Sequence, residues 1–415
     1  MLRIVHAADI HLDTPYRRHD EAVRARLRDA GREAFVRLID LALGRQADAL
    51  LIAGDLFDND LLTLATERVL VDELTRATSA GLTVVYATGN HDPGRANYRA
   101  MGIDWPEERF HLVASRQPRQ IAIEREDEVV GWVVAAGHQT PREDRDLAAA
   151  FPPAPGPEPA VGLLHAHVVG AAAVEQHDSY APTSLDSLDP SYAYWALGHI
   201  HQCQKVRPDP PVHYSGNLQG RQFGEEGAKG ALVVTLERGA APEIEFNALA
   251  PVRWESLAPD GLDATRNLTD VHAAVRAAFD ARRGGALPDQ EWILRVDLRG
   301  ACELASLLAS ADERAELAAQ LREDLGVLDV EVRDRGLHRP VDIESHRDQP
   351  HLLGQTLALL ERAKADDAAL DGITPVQVAG GDGTESAERR AYLRELLHDL
   401  DAEAAVRLLR ESESA

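Results

Sequence analysis

Ala49-Leu50-Leu51-Ile52-Ala53-Gly54-Asp55-Leu56-Phe57-Asp58 runs five apolar residues into a glycine and two carboxylates. The apolar run has the length and composition of a strand buried on both faces. Such a strand sits inside a sheet covered by helices, and ligands bind beyond its carboxyl end. The same arrangement recurs on either side. Leu2 to Ala8 is an apolar run ending at Asp9, and Leu82 to Ala87 is another ending at Gly89-Asn90. Between these runs the spacing predicts helices over about 20–45 and 61–79. Phe35, Leu38, Ile39 and Ala42 fall at i, i+3, i+4 and i+7, and Gly81 closes the second helix. Strand–helix–strand–helix–strand favours right-handed crossovers and a largely parallel inner sheet, so the class is α/β.

Further along the pattern turns to short strands, at 120–123, 129–136, 161–164, 194–197, 212–214 and 231–236. The Pro-rich stretch 151–160 reads as an exposed loop. A first domain over 1–250 follows. Residues 251–340 carry Trp254, helical patterns at 268–282 and 303–325, and strands at 292–298 and 328–332, the outline of a small α+β domain. Residues 341–415 form a helical, acidic tail broken by the Gly-rich stretch 379–384. Within it, 385–411 reads as one amphipathic helix with Leu393, Leu396, Leu397, Leu400, Ala404 and Leu408 as its stripe. That stripe either folds onto its own domain or docks a partner.

A chain of 415 residues exceeds one ordinary core, which agrees with this division. With 44% hydrophobic and 27% charged residues it has the composition of a globular protein, not a disordered one. The net charge of -25 argues against a nucleic-acid coat protein, because such a chain does not attract polyanions non-specifically. It leaves an enzyme open, since bound cations reverse the local field. Lysine occurs only at Lys205, Lys229 and Lys364, a bias that base composition explains, although arginine is also the better fork for phosphate. Two distant cysteines, Cys203 and Cys302, indicate no disulfide framework and fit a cytoplasmic location. The N-terminus enters a strand pattern at once, so no signal peptide is expected. No stretch approaches the roughly 20 apolar residues of a membrane span.

The chemistry-bearing residues each lie just past a predicted strand. Asp9-Ile10-His11 places two ligand types on alternate positions, facing one way if the strand continues; taken alone, such a motif is usually just a polar strand end. In Gly54-Asp55-Leu56-Phe57-Asp58 the carboxylate of Asp55 can bridge two cations, while the plain alternative is a turn with Asp58 as an N-cap. Gly89-Asn90-His91-Asp92 offers a neutral oxygen from Asn90 and sets His91 beside an ion without requiring it to ligate; an Asn/Asp-rich turn is the alternative. His165 and His167 cannot be separated by spacing. Gly198-His199-Ile200-His201 carries two imidazoles at i and i+2, metal ligands or two surface histidines. The lone thiol of Cys203 cannot build a structural zinc site.

Taken in this order, the motifs resemble the calcineurin-like metallophosphoesterase superfamily over roughly residues 1–235. The runs His6 to Asp13, Tyr214 to Arg221 and Pro251 to Glu255 are similar to its DNA-repair exonuclease branch, the SbcD-type and YhaO-type proteins. The resemblance implies a β-sandwich flanked by helices, a small α+β capping domain and a helical C-terminal tail. It also implies two divalent metal ions, the first held by Asp9, His11 and His201, the second by Asn90, His165 and His199, with Asp55 bridging. His167 departs from the pattern and is left out of the set. Two such ions, about 3.5–4 Å apart, clamp the oxygens of an in-line displacement and acidify the attacking water. Ligands without thiolate suit ions such as Mn²⁺ or Fe²⁺, of which Mn²⁺ is the one expected. His91, oriented by Asp58, would stabilise the phosphorane charge and protonate the leaving oxygen. Arg17, Arg18 and Arg221 read as solvated surface charge, with a grip on neighbouring phosphates as the alternative.

The implied function is a metal-dependent DNA exonuclease or endonuclease in repair, with DNA as substrate, an SMC-like ATPase as partner and a homodimer as a further option. Two other readings compete: a phosphodiesterase or phosphatase for small substrates, and a regulatory subunit of an SMC-like ATPase complex. The second domain weighs against the first, because small-substrate enzymes often lack one. The complete ligand set weighs against the second, because a scaffold needs none of it.

Overall fold

The structure, a computed structural model, describes residues 1–58, 61–95, 98–169, 180–347, 349–373, 383–397 and 400–413. The first elements are β1 (Leu2–Ala7), α1 (Glu21–Gly44), β2 (Ala49–Ala53), α2 (Leu64–Ser79) and β3 (Thr83–Ala87). Then come β4 (Phe110–Val113), β5 (Arg119–Arg125), β6 (Glu128–Ala136), β7 (Ala160–His165), β8 (His167–Val168) and β9 (Pro182–Thr183). β10 (Tyr194–Gly198), β11 (Gln204–Pro208), β12 (Pro211–Tyr214), β13 (Gly230–Leu236) and β14 (Glu243–Ala248) follow. The chain continues with β15 (Val252–Leu257), α3 (Leu268–Arg282), β16 (Glu291–Ala301), α4 (Ala305–Leu308), α5 (Ala311–Leu325) and β17 (Asp329–His338). It ends in α6 (Ile343–Arg347), α7 (Leu352–Ala365), α8 (Asp367–Ile373), α9 (Gly383–Leu397) and α10 (Leu400–Glu413).

Two six-stranded sheets carry the N-terminal region, ordered β14-β13-β1-β2-β3-β4 and β11-β12-β10-β7-β6-β5. β1 to β4 pair in parallel, as do β6, β7, β10 and β12, while β5, β11, β13 and β14 join antiparallel. The sheets share an apolar core: Ile4, Leu51 and Val85 from one meet Val133, Leu163 and Ala196 from the other. This explains the uninterrupted apolar run 49–53. Leu50 and Ile52 face α1 and α2 with Phe35, Leu38 and Leu70, while Leu51 and Ala53 face the second sheet. The outer face of the second sheet is covered by irregular chain, where Leu147, Phe151 and Tyr192 pack on Leu164 and Trp195. Burying a side chain such as Phe35 contributes roughly 1.5–3 kcal/mol.

α1 begins where the Asp20 carboxylate accepts from Val23 N, and α2 where Thr63 Oγ1 accepts from Thr66 N. The predicted start of the second helix at 61 therefore moves to 64. The predicted helix over 303–325 is two pieces, α4 and α5. The predicted helix over 385–411 is likewise two helices, α9 and α10.

The chain forms two compact units. The first is Met1–Ser256 with Arg283–Arg295 and Arg322–Val330, and the second is Leu257–Arg282, Val296–Leu321 and Glu331–Ala415. β15, β16 and β17 form a three-stranded sheet. In the second unit Leu353 and Leu357 of α7 are buried against Ala405 of α10, with Val341, Ile343, Leu408 and Leu409 around them. The tail thus has a small core of its own. Cys203 and Cys302 are both free. No helix among the described residues is long and apolar enough to cross a membrane.

Candidate metal centre

All the predicted site residues lie in the first unit, at the carboxyl ends of parallel strands. Asp9 and His11 follow β1, Asp55 and Asp58 follow β2, and Asn90 and His91 follow β3. His165 is the last residue of β7, and His199 and His201 follow β10. Packing two parallel arrays face to face brings these ends together, as switch-point geometry in α/β sheets does.

One expectation needs correction. Asp9 and His11 do not ride on a continuing strand, because β1 stops at Ala7. Both sit in the left-handed region, with φ of 50° and 47°. The loop is held instead by Asp9 N donating to Gly54 O (3.1 Å), His11 N to Asp55 O (3.0 Å) and Leu12 N to Leu56 O (3.0 Å). Asp55 and His199 also have positive φ, 52° and 104°. Such conformations cost on the order of 1–3 kcal/mol each and persist only when tertiary contacts impose them. Gly54 (φ 82°) has no choice: a Cβ there would lie 2.4 Å from His165 Nδ1.

The ligand-type atoms gather in three overlapping groups, each within 4.8 Å: Asp9, His11 and His201; Asp9, Asp55 and His165; and His11, Asp58 and His91. Asn90 joins through Oδ1, 2.9 Å from His165 Nε2. His199 lies outside these three groups. It reaches the cluster through its backbone N–H, which donates to Asp9 Oδ1 and Oδ2 at 3.1 and 3.0 Å, and its ring lies 5.3 Å from that of His165.

Hydrogen-bond chemistry dictates which nitrogens are bare. A carboxylate or carbonyl oxygen only accepts, so a ring nitrogen bonded to one carries the proton. His11 Nδ1 donates to Asp58 Oδ1 (2.6 Å), and His165 Nδ1 donates to Ala53 O (2.9 Å). His201 Nδ1 lies 2.8 Å from Glu225 Oε1. A neutral ring carries one proton, so with Nδ1 protonated the His11 and His165 rings turn a lone pair inward from Nε2, and His165 Nε2 and Asn90 Oδ1 face each other as two acceptors. His11 Nε2 and His201 Nε2 are 3.3 Å apart, and His11 and His165 Nε2 lie 3.7 and 3.5 Å from Asp55 Oδ2. Acceptors facing acceptors is what a cation satisfies, and anchoring the far nitrogen is how metal-binding histidines are oriented. The donor set therefore fits divalent metal.

The electrostatics agree. Burial pushes His11 and His165 down to about 4, so their imidazoles are neutral, as ligands must be. Burial raises the Asp9 carboxyl to about 7, with His201 pulling it down and Asp55 pushing it up. His91 differs. Burial opposes its charge, but the Asp58 bond and the Asp55 charge outweigh it and raise His91 to about 9. Its Nδ1 donates to Asp58 Oδ1 at 3.0 Å, and its side chain is 42% exposed, the most open of the cluster's histidines. Asp58 is not an N-cap, since α2 is capped by Thr63.

Three further residues escaped the sequence reading. Asp92, fully buried, accepts from the backbone N–H groups of Asp55 (3.2 Å), Leu56 (2.5 Å) and Gly89 (2.6 Å) and from Tyr86 Oη (2.5 Å), so it ties two ligand loops together. Its place at the end of Gly-Asn-His-Asp was the available clue. Glu225, four residues after Arg221, backs His201. His138 is buried beneath His165 and donates from Nε2 to His165 O (2.8 Å); nothing in its surroundings in sequence marks it. His167 stays apart, its ring 6.1 Å from His199. Arg17 and Arg18 are exposed, as surface charge should be. Arg221 is not: its side chain is 16% exposed and ion-paired with Glu225 at 3.0 Å.

Residues 2–203 match the calcineurin-like phosphoesterase family. The metallophosphoesterase YhaO of Bacillus subtilis is 31% identical over 292 residues, covering 69% of this chain and 70% of that one. The SbcD component of the SbcCD nuclease of Rhodobacter capsulatus is 27% identical over 373 residues, 76% and 85% of the two chains. The DNA double-strand break repair protein Mre11 of Methanopyrus kandleri is 25% identical over 281 residues, 61% of this chain and 57% of that one. The motif order, the sandwich with its converging strand ends and these relatives agree: the chain belongs to the calcineurin-like phosphoesterase family.

Proposed function

We propose that this protein is a dinuclear metal-dependent phosphodiesterase acting on DNA, with Mn²⁺ as its metal. The observation that carries the reading is the set of imidazoles whose anchored Nδ1 atoms leave Nε2 facing Asp9 and Asp55. In this reading Asp9, His11 and His201 hold one ion, Asn90, His165 and His199 hold the other, and Asp55 lies between them. When bound, the ions would supply an acidified water and charge neutralisation at the phosphate. His91 keeps its Nδ1 proton on Asp58 and holds a second proton at Nε2, available to a leaving oxygen. Its exposure leaves room for substrate. Support for DNA comes from the relatives named as a DNA repair protein and a nuclease component. The division into 1–250, 251–340 and 341–415, and an SMC-like ATPase as partner for the tail, belong to the same proposal.

The test offers the purified chain, with Mn²⁺, linear duplex DNA, single-stranded DNA and bis-p-nitrophenyl phosphate in parallel, and His91→Ala as control. Metal-dependent cleavage of DNA is expected. Cleavage of the small diester alone would move the assignment to a small-substrate phosphodiesterase, and no metal-dependent cleavage of anything would sink the reading.

A further inference from the structure

His201 Nδ1 faces two neighbours with opposite demands. Glu225 Oε1, 2.8 Å away, can only accept while ionised. Arg221 Nη2, 3.0 Å away, can only donate. One ring nitrogen cannot serve both. We propose that Glu225 is the positioning residue for His201, keeping the proton on Nδ1 so that Nε2 stays bare toward Asp9 and His11. The inference rests on the metal-centre reading and goes beyond it, because Glu225 touches neither metal nor substrate.

Glu225 is built to win that competition. It is buried, and its contact with the ring is the shorter of the two. It also occupies Arg221, whose Nη2 donates to Oε1 at 3.0 Å and whose Nε lies 3.3 Å from both oxygens. Asn217 Nδ2 (2.7 Å) and Arg221 N (2.9 Å) donate to Oε2, fixing the carboxylate plane. Lys229 Nζ donates to His201 O at 2.8 Å and holds the backbone of the same residue. Removing the carboxylate leaves Arg221 donating to Nδ1. The ring proton then moves to Nε2, where it points at His11 Nε2 and blocks coordination.

Two measurements on the full chain test this. In the metal-free protein, two-bond nitrogen–proton NMR correlations of the imidazoles, with His201 assigned by difference against His201→Asn, should show the Nδ1–H tautomer. Glu225→Ala should convert it to Nε2–H. Calorimetric titration with MnCl₂ should show affinity falling about 10- to 100-fold in Glu225→Ala, the usual cost of losing a carboxylate behind a ligating histidine. Glu225→Gln, whose amide oxygen still accepts, should keep most of that affinity, which separates orientation from misfolding. An Nε2–H tautomer in the wild type, or unchanged Mn²⁺ affinity in a folded Glu225→Ala protein, overturns the assignment of Glu225 alone. Absence of Mn²⁺ binding by the wild type overturns the metal centre and this inference with it.

Discussion

His11 and His201, 190 positions apart in the chain, face each other with Nε2 atoms 3.3 Å apart, each ring held from behind by a carboxylate. With buried Asp9 and Asp55 beside them, the acceptors repel until a cation sits among them. Divalent metal should therefore stabilise the native state by mass action, about 2.7 kcal/mol at 100 times Kd. The melting temperature of chelator-treated protein should rise with added Mn²⁺, and Asp55→Asn should abolish most of the rise. A melting temperature indifferent to Mn²⁺ would contradict the assignment.

His91 donates to Asp58, and the proposed function gives it no cation to hold. His91→Ala should lower hydrolysis of bis-p-nitrophenyl phosphate by about 10²- to 10⁴-fold, the range for losing a general acid. Metal content of the variant, measured by elemental analysis, should stay at the wild-type value; a lost ion would make His91 a ligand.

Asp92 gathers three backbone N–H groups and a tyrosine hydroxyl. Asp92→Ala strands those donors in the interior at about 1–3 kcal/mol each, so a loss of several kcal/mol in denaturant unfolding is expected. Tyr86→Phe removes one bond and should cost about 1 kcal/mol. A mild Asp92→Ala would show that the two loops do not depend on it.

His6 lies under the centre, its Nε2 donating to Leu197 O (3.1 Å) and its Nδ1 accepting from Tyr194 Oη (3.0 Å). Burial lowers it from 6.5 to about 3, with His213 adding to the effect. Between those values the unfolded chain binds the proton and the folded chain does not. The stability this neutral ring supports is therefore complete above about 6.5 and is lost as pH falls toward 3. His6→Gln cannot titrate, so its melting temperature should fall less than the wild type's between neutral pH and pH about 5. Parallel melting curves for the two proteins would refute the assignment.

In the second unit, Leu357 is fully buried against α10. Leu357→Ala should cost about 2–5 kcal/mol through cavity formation. Calorimetry should show the loss in a transition that leaves hydrolysis of a small diester intact below it, because every candidate site residue lies in the first unit. Loss of hydrolysis at a temperature where the variant is folded would contradict that separation.

The sequence by itself determined the class of fold and which residue types stand at the strand ends. Apolar runs such as 49–53 state a strand buried on two faces, and Asp9, His11, Asp55, Asn90, His91, His165, His199 and His201 each stand just past such a run. Local pattern is enough there, because burial on both faces forces a continuous run and the turn after it must be polar. Only the tertiary structure decided the rest. The left-handed φ of Asp9 and His11 comes from pairing with Gly54 to Leu56, not from any preference of aspartate or histidine. Glu225, His138 and Asp92 act on partners up to 37 positions away, at distances set by packing, and their residue types alone carry no mark of that role. The protonation of each imidazole depends likewise on which oxygen reaches Nδ1. Periodicity encodes which face of an element is buried, whereas the identity of a hydrogen-bond partner exists only once two sheets have closed on each other.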